Sequence, residues 1–107
     1  MIFRRKLRYV LVEASENIRM DGIKEAETLK SGIRGFLGEL PYFKANPQVA
    51  AQLGERVFVM SVNRGYERNA ILALSFIKEI DGRRIGFYTI KTSGTIRSIK
   101  DAFKELY

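Results

Sequence analysis

The sequence predicts one α+β domain in which an antiparallel four-stranded sheet packs against helices. Four short runs rich in β-branched and aromatic residues alternate with three stretches in which apolar residues recur every three or four positions. In chain order these segments give β-α-β-β-α-β-α. The chain has 107 residues, which is enough for one domain and too short for two.

The first strand and the first helix are predicted within residues 5–40. Residues 5–14 hold an apolar, β-branched run bounded by charge, which is typical of a strand. Asp21 can cap the helix that follows, and Pro41 marks its end. The apolar residues that define one face of this helix are Ile23, Ala26, Leu29, Ile33, Leu37 and Leu40.

Two further strands are predicted at residues 47–53 and 56–63, joined by a turn. Because Pro47 has no N–H to donate, the first of these strands should lie at an edge of the sheet. Asn63 can then cap a second helix over residues 65–80.

The last strand and the last helix follow an Asp-Gly turn signal at residues 81–82. Residues 83–92 predict the strand and residues 95–106 the helix, whose inward-facing residues are Ile96, Ile99, Phe103 and Leu106. The order βαββαβ predicts a ferredoxin-like sandwich, here with an added C-terminal helix. In that topology the first strand lies between the third and the fourth, antiparallel to both. The two ends of the chain are therefore expected to converge.

Cysteine and histidine are both absent, and their absence excludes several function classes. Without cysteine there is no disulfide, thiolate nucleophile or Cys-based zinc site. Without histidine there is no Ser-His-Asp chemistry, imidazole acid–base catalysis or His-based metal site. No apolar run approaches the ~18 residues of a membrane span, and no secretory signal is recognised. We therefore expect a cytoplasmic protein with no membrane contact.

The charge is strongly basic and unevenly distributed. Nineteen Lys and Arg stand against twelve Asp and Glu, a net charge of +7 with a pI near 9.9. Residues 1–12 (four basic, no acidic) and residues 83–107 (six basic, two acidic) each carry +4, while the middle is nearly balanced. A basic domain of this size suggests an anionic partner, with nucleic acid first, although the same charge also serves solubility.

The junction between the last strand and the last helix has the residues of a phosphate site. Gly94 allows close backbone approach, and Ser93 or Thr95 can cap the helix, whose first N–H groups and dipole attract anions. An ordinary helix cap with solvated charges explains the same residues. The neighbouring basic cluster of the first strand adds support for the phosphate site. The candidate RNA-binding residues are Arg4, Arg5, Lys6, Arg8, Lys91, Ser93, Gly94, Thr95, Arg97 and Lys100.

Base stacking on the sheet is the alternative mode of RNA binding for this fold. Tyr9 and Phe58 on the two central strands are the candidate stacking residues. The strand at residues 56–63 does not match the aromatic-rich pattern of such modules, so core positions are favoured for Phe58 and Phe87.

Two segments of the sequence resemble the small α/β protein subunit of archaeal ribonuclease P, protein component 2, a family shared with the eukaryotic enzyme. These segments are LKSGIRGFLGEL and, after it, RNAILALSFIKEIDGRRIGFYTIKTSGTIRSIK. The helix end FLGEL, the segment IKEIDGRR and above all SGTIR at the last helix carry the resemblance, which covers roughly residues 5–107. It implies a ferredoxin-like, RNA-recognition-type fold and a role in removing the 5′ leader from precursor tRNA.

The resemblance also implies a division of labour. The RNA subunit performs the chemistry with Mg²⁺, and the chain itself holds no catalytic residue, metal or cofactor. The implied partners are ribonuclease P RNA and the barrel-shaped protein component 3, for which the helical faces or the edge strand are available, and self-association is left open. The family's binding positions map onto Ser93, Gly94, Thr95 and Arg97, and onto Arg5, Lys6 and Arg8.

Three other functions are compatible with the same element order. An acylphosphatase-like hydrolase and a dimeric small-ligand sensor both need glycine in the loop after the first strand. Residues 14–20 contain Arg19 but no glycine, which disfavours both. A generic RNA-binding or ribosomal protein of this fold is the closer alternative, and only specificity for the RNA separates it.

Overall fold

A computed structural model describes residues 6–107 and contains six strands and four helices over that range. Four strands form one antiparallel sheet in the order β2-β3-β1-β6, and two short strands form a separate hairpin. The elements are β1 (Leu7–Ala14), α1 (Ile23–Leu37), α2 (Glu39–Ala45), β2 (Gln48–Gln52), β3 (Val57–Asn63), α3 (Glu67–Phe76), β4 (Glu79–Ile80), β5 (Arg83–Arg84), β6 (Phe87–Ser93) and α4 (Ile96–Leu106).

The predicted fold class and strand order are confirmed. β1 lies between β3 and β6 and is antiparallel to both, with Leu7 opposite Asn63 and Tyr9 opposite Ser93. β2 pairs only with β3 and forms an edge of the sheet, as Pro47 requires. Within residues 6–107, no helix is long and apolar enough to cross a bilayer.

Both faces of the sheet are covered by helices. Successive side chains of a strand point to opposite faces, so β1 contributes to a core on each side. Val10 and Val12 of β1 join the larger core beneath α1 and α3. Leu11 lies on the other face, in a second core that Ile99 and Ala102 of α4 complete. The added C-terminal helix therefore packs across the face that an open sheet would offer to bases.

Stacking of bases on the central strands does not fit this arrangement. Phe58 is fully buried in the core beneath α1 and α3, where its ring meets Phe87 edge-on with centroids 5.9 Å apart. Tyr9 is partly buried against the core beneath α4. The core positions predicted for Phe58 and Phe87 are confirmed.

The predicted first helix is in fact two helices, α1 and α2. Gly38 separates them at φ +87°, a conformation that favours glycine, and its N–H donates to the carbonyl of Arg34 at 2.8 Å. Pro41 does not end a helix but lies in the first turn of α2, where its missing N–H costs no intrahelical hydrogen bond. The predicted cap Asp21 is also wrong, since Gly22 occupies the N-cap.

Two residues predicted to face inward from the first helix are exposed. Ile23 is 84% exposed at the start of α1, and Leu40 is 61% exposed on α2. The break at Gly38 explains Leu40, because α2 starts a new direction and the helical period does not continue across the break.

The second predicted helix is shorter than expected. α3 begins with Tyr66 at its N-cap, and the Asn63 side chain donates to the Lys44 carbonyl at 2.8 Å instead of capping the helix. The helix ends at Phe76, and β4 and β5 form a hairpin in what was predicted as helix and strand. The turn at residues 81–82 is confirmed, with both residues at positive φ.

The last helix is capped by one of the two predicted residues. The Thr95 hydroxyl accepts a hydrogen bond from the Ser98 N–H at 3.3 Å. Ile99 and Ala102 of α4 are buried, whereas Leu106, which was predicted to face inward, is 61% exposed.

Candidate nucleic-acid interface

Three segments of the chain meet at one end of the sheet. The start of β1 lies between the end of β3 and the end of β6, because it is antiparallel to both. The Arg64 N–H donates to the Lys6 carbonyl at 2.8 Å, and Lys6, Arg8, Arg64 and Gly94 line a shallow depression there. We call these four residues the basic corner. The predicted convergence of the first strand with the start of the last helix is thus present in the fold.

Arg8 is the most enclosed cation of the basic corner. Its side chain is 34% exposed, and its Nε lies 3.6 Å from the Glu67 carboxylate oxygen Oε2. A Cβ added to Gly94 would lie 3.3 Å from Nη1 of the same guanidinium, which is a tight contact. Glycine at this position therefore lets Arg8 lie directly against the junction of β6 and α4.

Glu67 is the acidic residue that forms an ion pair with Arg8. Hydrogen bonds from its own backbone N–H and from that of Gly65, together with the charges of Arg8 and Arg64, lower the pKa of Glu67 against the opposing effect of partial burial. The carboxylate is therefore ionised at neutral pH, and its negative charge lies close to the cations of both Arg8 and Arg64.

The start of α4 adds unpaired donors beside the corner. Ser93 accepts from the Thr95 N–H at 3.3 Å, and Thr95 accepts from the Ser98 N–H. The other N–H groups of the first turn have no intrahelical acceptor, and no acidic residue lies in that turn. Arg97 and Lys100 are exposed on the same helix. Helix dipole and side chains together make this end of the sheet electropositive.

The candidate residues divide into three groups. The fold brings Lys6 and Arg8 against Gly94, with Ser93, Thr95 and Arg97 at the same junction. Lys91 lies opposite Leu11, farther along β6, and Lys100 lies more than one turn from the Thr95 cap; both are exposed. Arg4 and Arg5 lie outside the described residues. RNA contact by any of them stays a prediction.

Sequence reasoning missed Arg64 and Glu67. Both follow β3, which the same antiparallel argument places beside the start of β1. The signal in the sequence is the segment Asn-Arg-Gly-Tyr-Glu, in which a glycine and a first-turn acid mark the connection into a helix.

The chemistry available at the corner is the binding of oxyanions. Guanidinium, ammonium and backbone N–H groups donate hydrogen bonds to phosphate oxygens. The Glu67 carboxylate forms an ion pair with Arg8. Among residues 6–107, no group of three or more His, Cys, Asp or Glu is arranged to hold a metal ion.

Fold and site together define a small ferredoxin-like α+β protein with a group of cations at one end of the sheet. Residues 8–104 match the model of the Rpp14/Pop5 family, and the chain belongs to that family. The resemblance drawn from the sequence motifs is thereby confirmed.

Two curated relatives carry the name Ribonuclease P protein component 2. The protein of Methanocorpusculum labreanum is 28% identical over 97 residues, which cover 91% of this chain and 65% of the relative. The protein of Methanosphaerula palustris is 33% identical over 52 residues, covering 49% of this chain and 32% of the relative. The chain thus spans less than two thirds of the length of these relatives.

A solved structure shares the fold. A chain in the cryo-EM structure of yeast Ribonuclease MRP superposes with a TM-score of 0.55 at 12% sequence identity, covering 98% of this chain and 94% of that chain. At this identity the likeness establishes the fold alone.

Proposed function

We propose that the chain is a non-catalytic protein subunit of ribonuclease P. It binds the catalytic RNA through the basic corner and the start of α4, and so supports removal of the 5′ leader from precursor tRNA. One observation carries the proposal: Lys6, Arg8 and Arg64 lie beside the junction of β6 and α4 at one end of the sheet. That junction consists of Ser93, Gly94 and Thr95. Membership of the Rpp14/Pop5 family and the names of the two relatives support it.

Binding by this corner is electrostatic. Exposed Lys6 and Arg64 pair with backbone phosphates and release condensed counterions, while Arg8 lies beside the Glu67 carboxylate. Contacts of this kind fix position and shape without reading bases, which suits folded RNA because its base edges lie in a deep and narrow groove.

The reaction itself belongs to the RNA and its Mg²⁺ ions in this proposal. The chain contributes positive charge that neutralises phosphates, and so lowers the Mg²⁺ concentration that the RNA needs. We propose the barrel-shaped protein component 3 as its protein partner and the cytoplasm as its location.

Reconstitution tests the proposal. Catalytic RNA, component 3, precursor tRNA and Mg²⁺ are combined with and without the chain, and release of the 5′ leader is measured over a Mg²⁺ titration. We expect cleavage at low Mg²⁺ only when the chain is present. Cleavage that is indifferent to the chain over the whole titration would contradict the proposal and favour a generic RNA-binding protein of the same fold.

A further inference from the structure

A depression of about 660 Å³ lies beside the hairpin of β4 and β5, a volume within the range of small-molecule pockets. Its lining includes Lys78, Arg84 and Tyr88, all of which are exposed. We call these three residues the hairpin site. Because Phe87 at the start of β6 lies opposite Ala14 at the end of β1, the hairpin site and the basic corner lie at opposite ends of these strands.

Tyr88 presents an aromatic ring that contacts a fixed backbone and is still open to solvent. The residue is 60% exposed. A Cβ added to Gly86 would lie 3.2 Å from the Tyr88 hydroxyl oxygen, so the ring reaches close to the backbone at Gly86. The Gly86 N–H donates to the Ser15 hydroxyl at 2.9 Å, and the Ser15 N–H donates to the Gly86 carbonyl at 2.9 Å. These bonds tie the backbone under the ring to the end of β1.

The position of Tyr88 distinguishes it from the aromatic residues of the central strands. α4 packs across the central strands and partly buries Tyr9, whereas Tyr88 lies on β6, at the edge of the sheet. A base therefore reaches the ring of Tyr88 without displacing α4. An exposed aromatic ring beside cations is the arrangement on which proteins stack the bases of single-stranded RNA.

The charges around the ring favour one phosphate over a run of phosphates. Lys78 and Arg84 form no ion pair within the described part of the chain. Both also line a neighbouring depression that holds Glu79, so they form the ridge between the two depressions. Glu16 lines the other side. Carboxylates on both sides of the ridge disfavour a duplex, whose phosphates are continuous, and leave the two cations to a single phosphate.

These features select among the occupants. An acidic peptide would satisfy Lys78 and Arg84 but would make no use of the exposed ring, and it would bring carboxylates close to Glu16 and Glu79. A nucleotide with an unpaired base satisfies both halves of the site, since its base stacks on the ring and its phosphate accepts hydrogen bonds from the cations.

We propose that the hairpin site binds one unstacked nucleotide of RNA, whose base stacks on Tyr88 and whose phosphate is bound by Lys78 and Arg84. The inference rests on the proposed function in one respect, since it takes the RNA to be the catalytic RNA or the precursor tRNA. The eight residues of β1 separate this site from the basic corner by roughly 25 Å, at about 3.3 Å per residue. That separation exceeds the screening length of about 10 Å in 0.1 M salt, so the two sites bind different segments of RNA.

Short oligonucleotides test the stacking directly. The probes are a hexauridylate and an abasic ribose-phosphate hexamer of the same charge, and both are bound to the full chain. The chain carries Lys6→Ala, Arg64→Ala and Arg97→Ala, so the result does not depend on the basic corner. We expect the hexauridylate to bind about five- to 150-fold more tightly than the abasic hexamer, and Tyr88→Ala to abolish that preference. Equal binding of the two hexamers, or binding of neither, overturns the proposal.

Further variants separate stacking from charge. Tyr88→Phe should keep the preference for the hexauridylate, because the ring and not the hydroxyl stacks. Lys78→Ala and Arg84→Ala should weaken binding of both hexamers to the same extent, because these cations contact phosphate. Phe43→Ala, at an aromatic residue 78% exposed on α2, is the control and should change neither affinity. A preference that survives in Tyr88→Ala, or that is lost in Tyr88→Phe, contradicts stacking on this ring.

A single thiol identifies which RNA occupies the site. Because the chain has no cysteine, Glu16→Cys places one thiol in the depression, and Ile23→Cys, 84% exposed at the start of α1, is the control for the two RNAs. Maleimide labelling is measured with the catalytic RNA, with precursor tRNA, and with the protein subunits without RNA. We expect one of the RNAs to slow labelling of Glu16→Cys and neither to slow labelling of Ile23→Cys.

The outcomes of the labelling experiment distinguish the two proposals. Slower labelling of Glu16→Cys with the catalytic RNA or with precursor tRNA supports the hairpin site and names its source of nucleotide. Slower labelling with the protein subunits alone assigns the depression to a protein and overturns the proposal, as does labelling that nothing slows. Protection by RNA together with cleavage that is indifferent to the chain would contradict the proposed function and leave the hairpin site standing.

Discussion

Removal of three cations from the basic end of the sheet should flatten the salt dependence of RNA binding. Lys6, Arg64 and Arg97 are exposed, and none forms an ion pair within the described chain. Each phosphate contact contributes about 0.7 to 0.9 to the slope of log K against log salt. The triple variant Lys6→Ala, Arg64→Ala, Arg97→Ala should therefore lower that slope by about 2 to 3. Arg8 is kept, because its loss would leave the Glu67 carboxylate without its ion-pair partner.

A charge-matched triple variant is the control. Lys24→Ala, Lys78→Ala, Lys104→Ala removes three exposed lysines elsewhere, and both triples lower the formal net charge from +7 to +4. Binding to the catalytic RNA is measured by fluorescence polarisation at several salt concentrations. If the slope falls equally in the two triple variants, RNA binding depends on net charge alone. If the slope is unchanged in the first triple variant, the basic corner does not bind the RNA phosphates.

Three further predictions concern single residues. Gly94→Ala places a Cβ 3.3 Å from Arg8 Nη1 and should weaken RNA binding with little change in the urea midpoint; a normal affinity would contradict the close approach. Gly38→Ala should lower the free energy of unfolding by about 1 to 3 kcal/mol in urea titrations, because φ is +87° there, and an unchanged midpoint would contradict that strain. Glu67→Gln should be less stable than the parent at pH 7, because a lowered pKa stabilises the fold above its ordinary value of 4.5, and the difference should shrink as the pH falls from 4.5 through the lowered pKa; a pH-independent difference would contradict the ionic role.

The sheet was predictable because its signals are local and redundant. Alternation and β-branched runs located the four main strands, and Pro47 assigned the edge. The helix boundaries were less predictable, since Gly38 and Pro41 are as compatible with the start of a helix as with its end. The hairpin of β4 and β5 was hidden because its apolar residue Ile80 continues the helical spacing of α3.

The candidate site was predictable only where topology alone determined proximity. Antiparallel pairing of β1 with β6 brings Arg8 to Gly94 whatever the details of packing. The pairing of Arg8 with Glu67 depends on how α3 leaves β3, which the sequence pattern does not describe. The exposure of Leu40 and Phe43 was hidden for a similar reason, because it depends on the direction that α2 takes after Gly38.

Directed hydroxyl-radical mapping tests most directly whether the basic corner faces the RNA. Because the chain has no cysteine, an iron chelate attached at Arg64→Cys is a single source of radicals, and one at Lys24→Cys, on α1, is the control. In the assembled, active particle we predict cleavage of the catalytic RNA at a confined set of nucleotides from Arg64→Cys and none from Lys24→Cys. RNA cleavage from Lys24→Cys alone, or from neither position, would contradict binding through the corner.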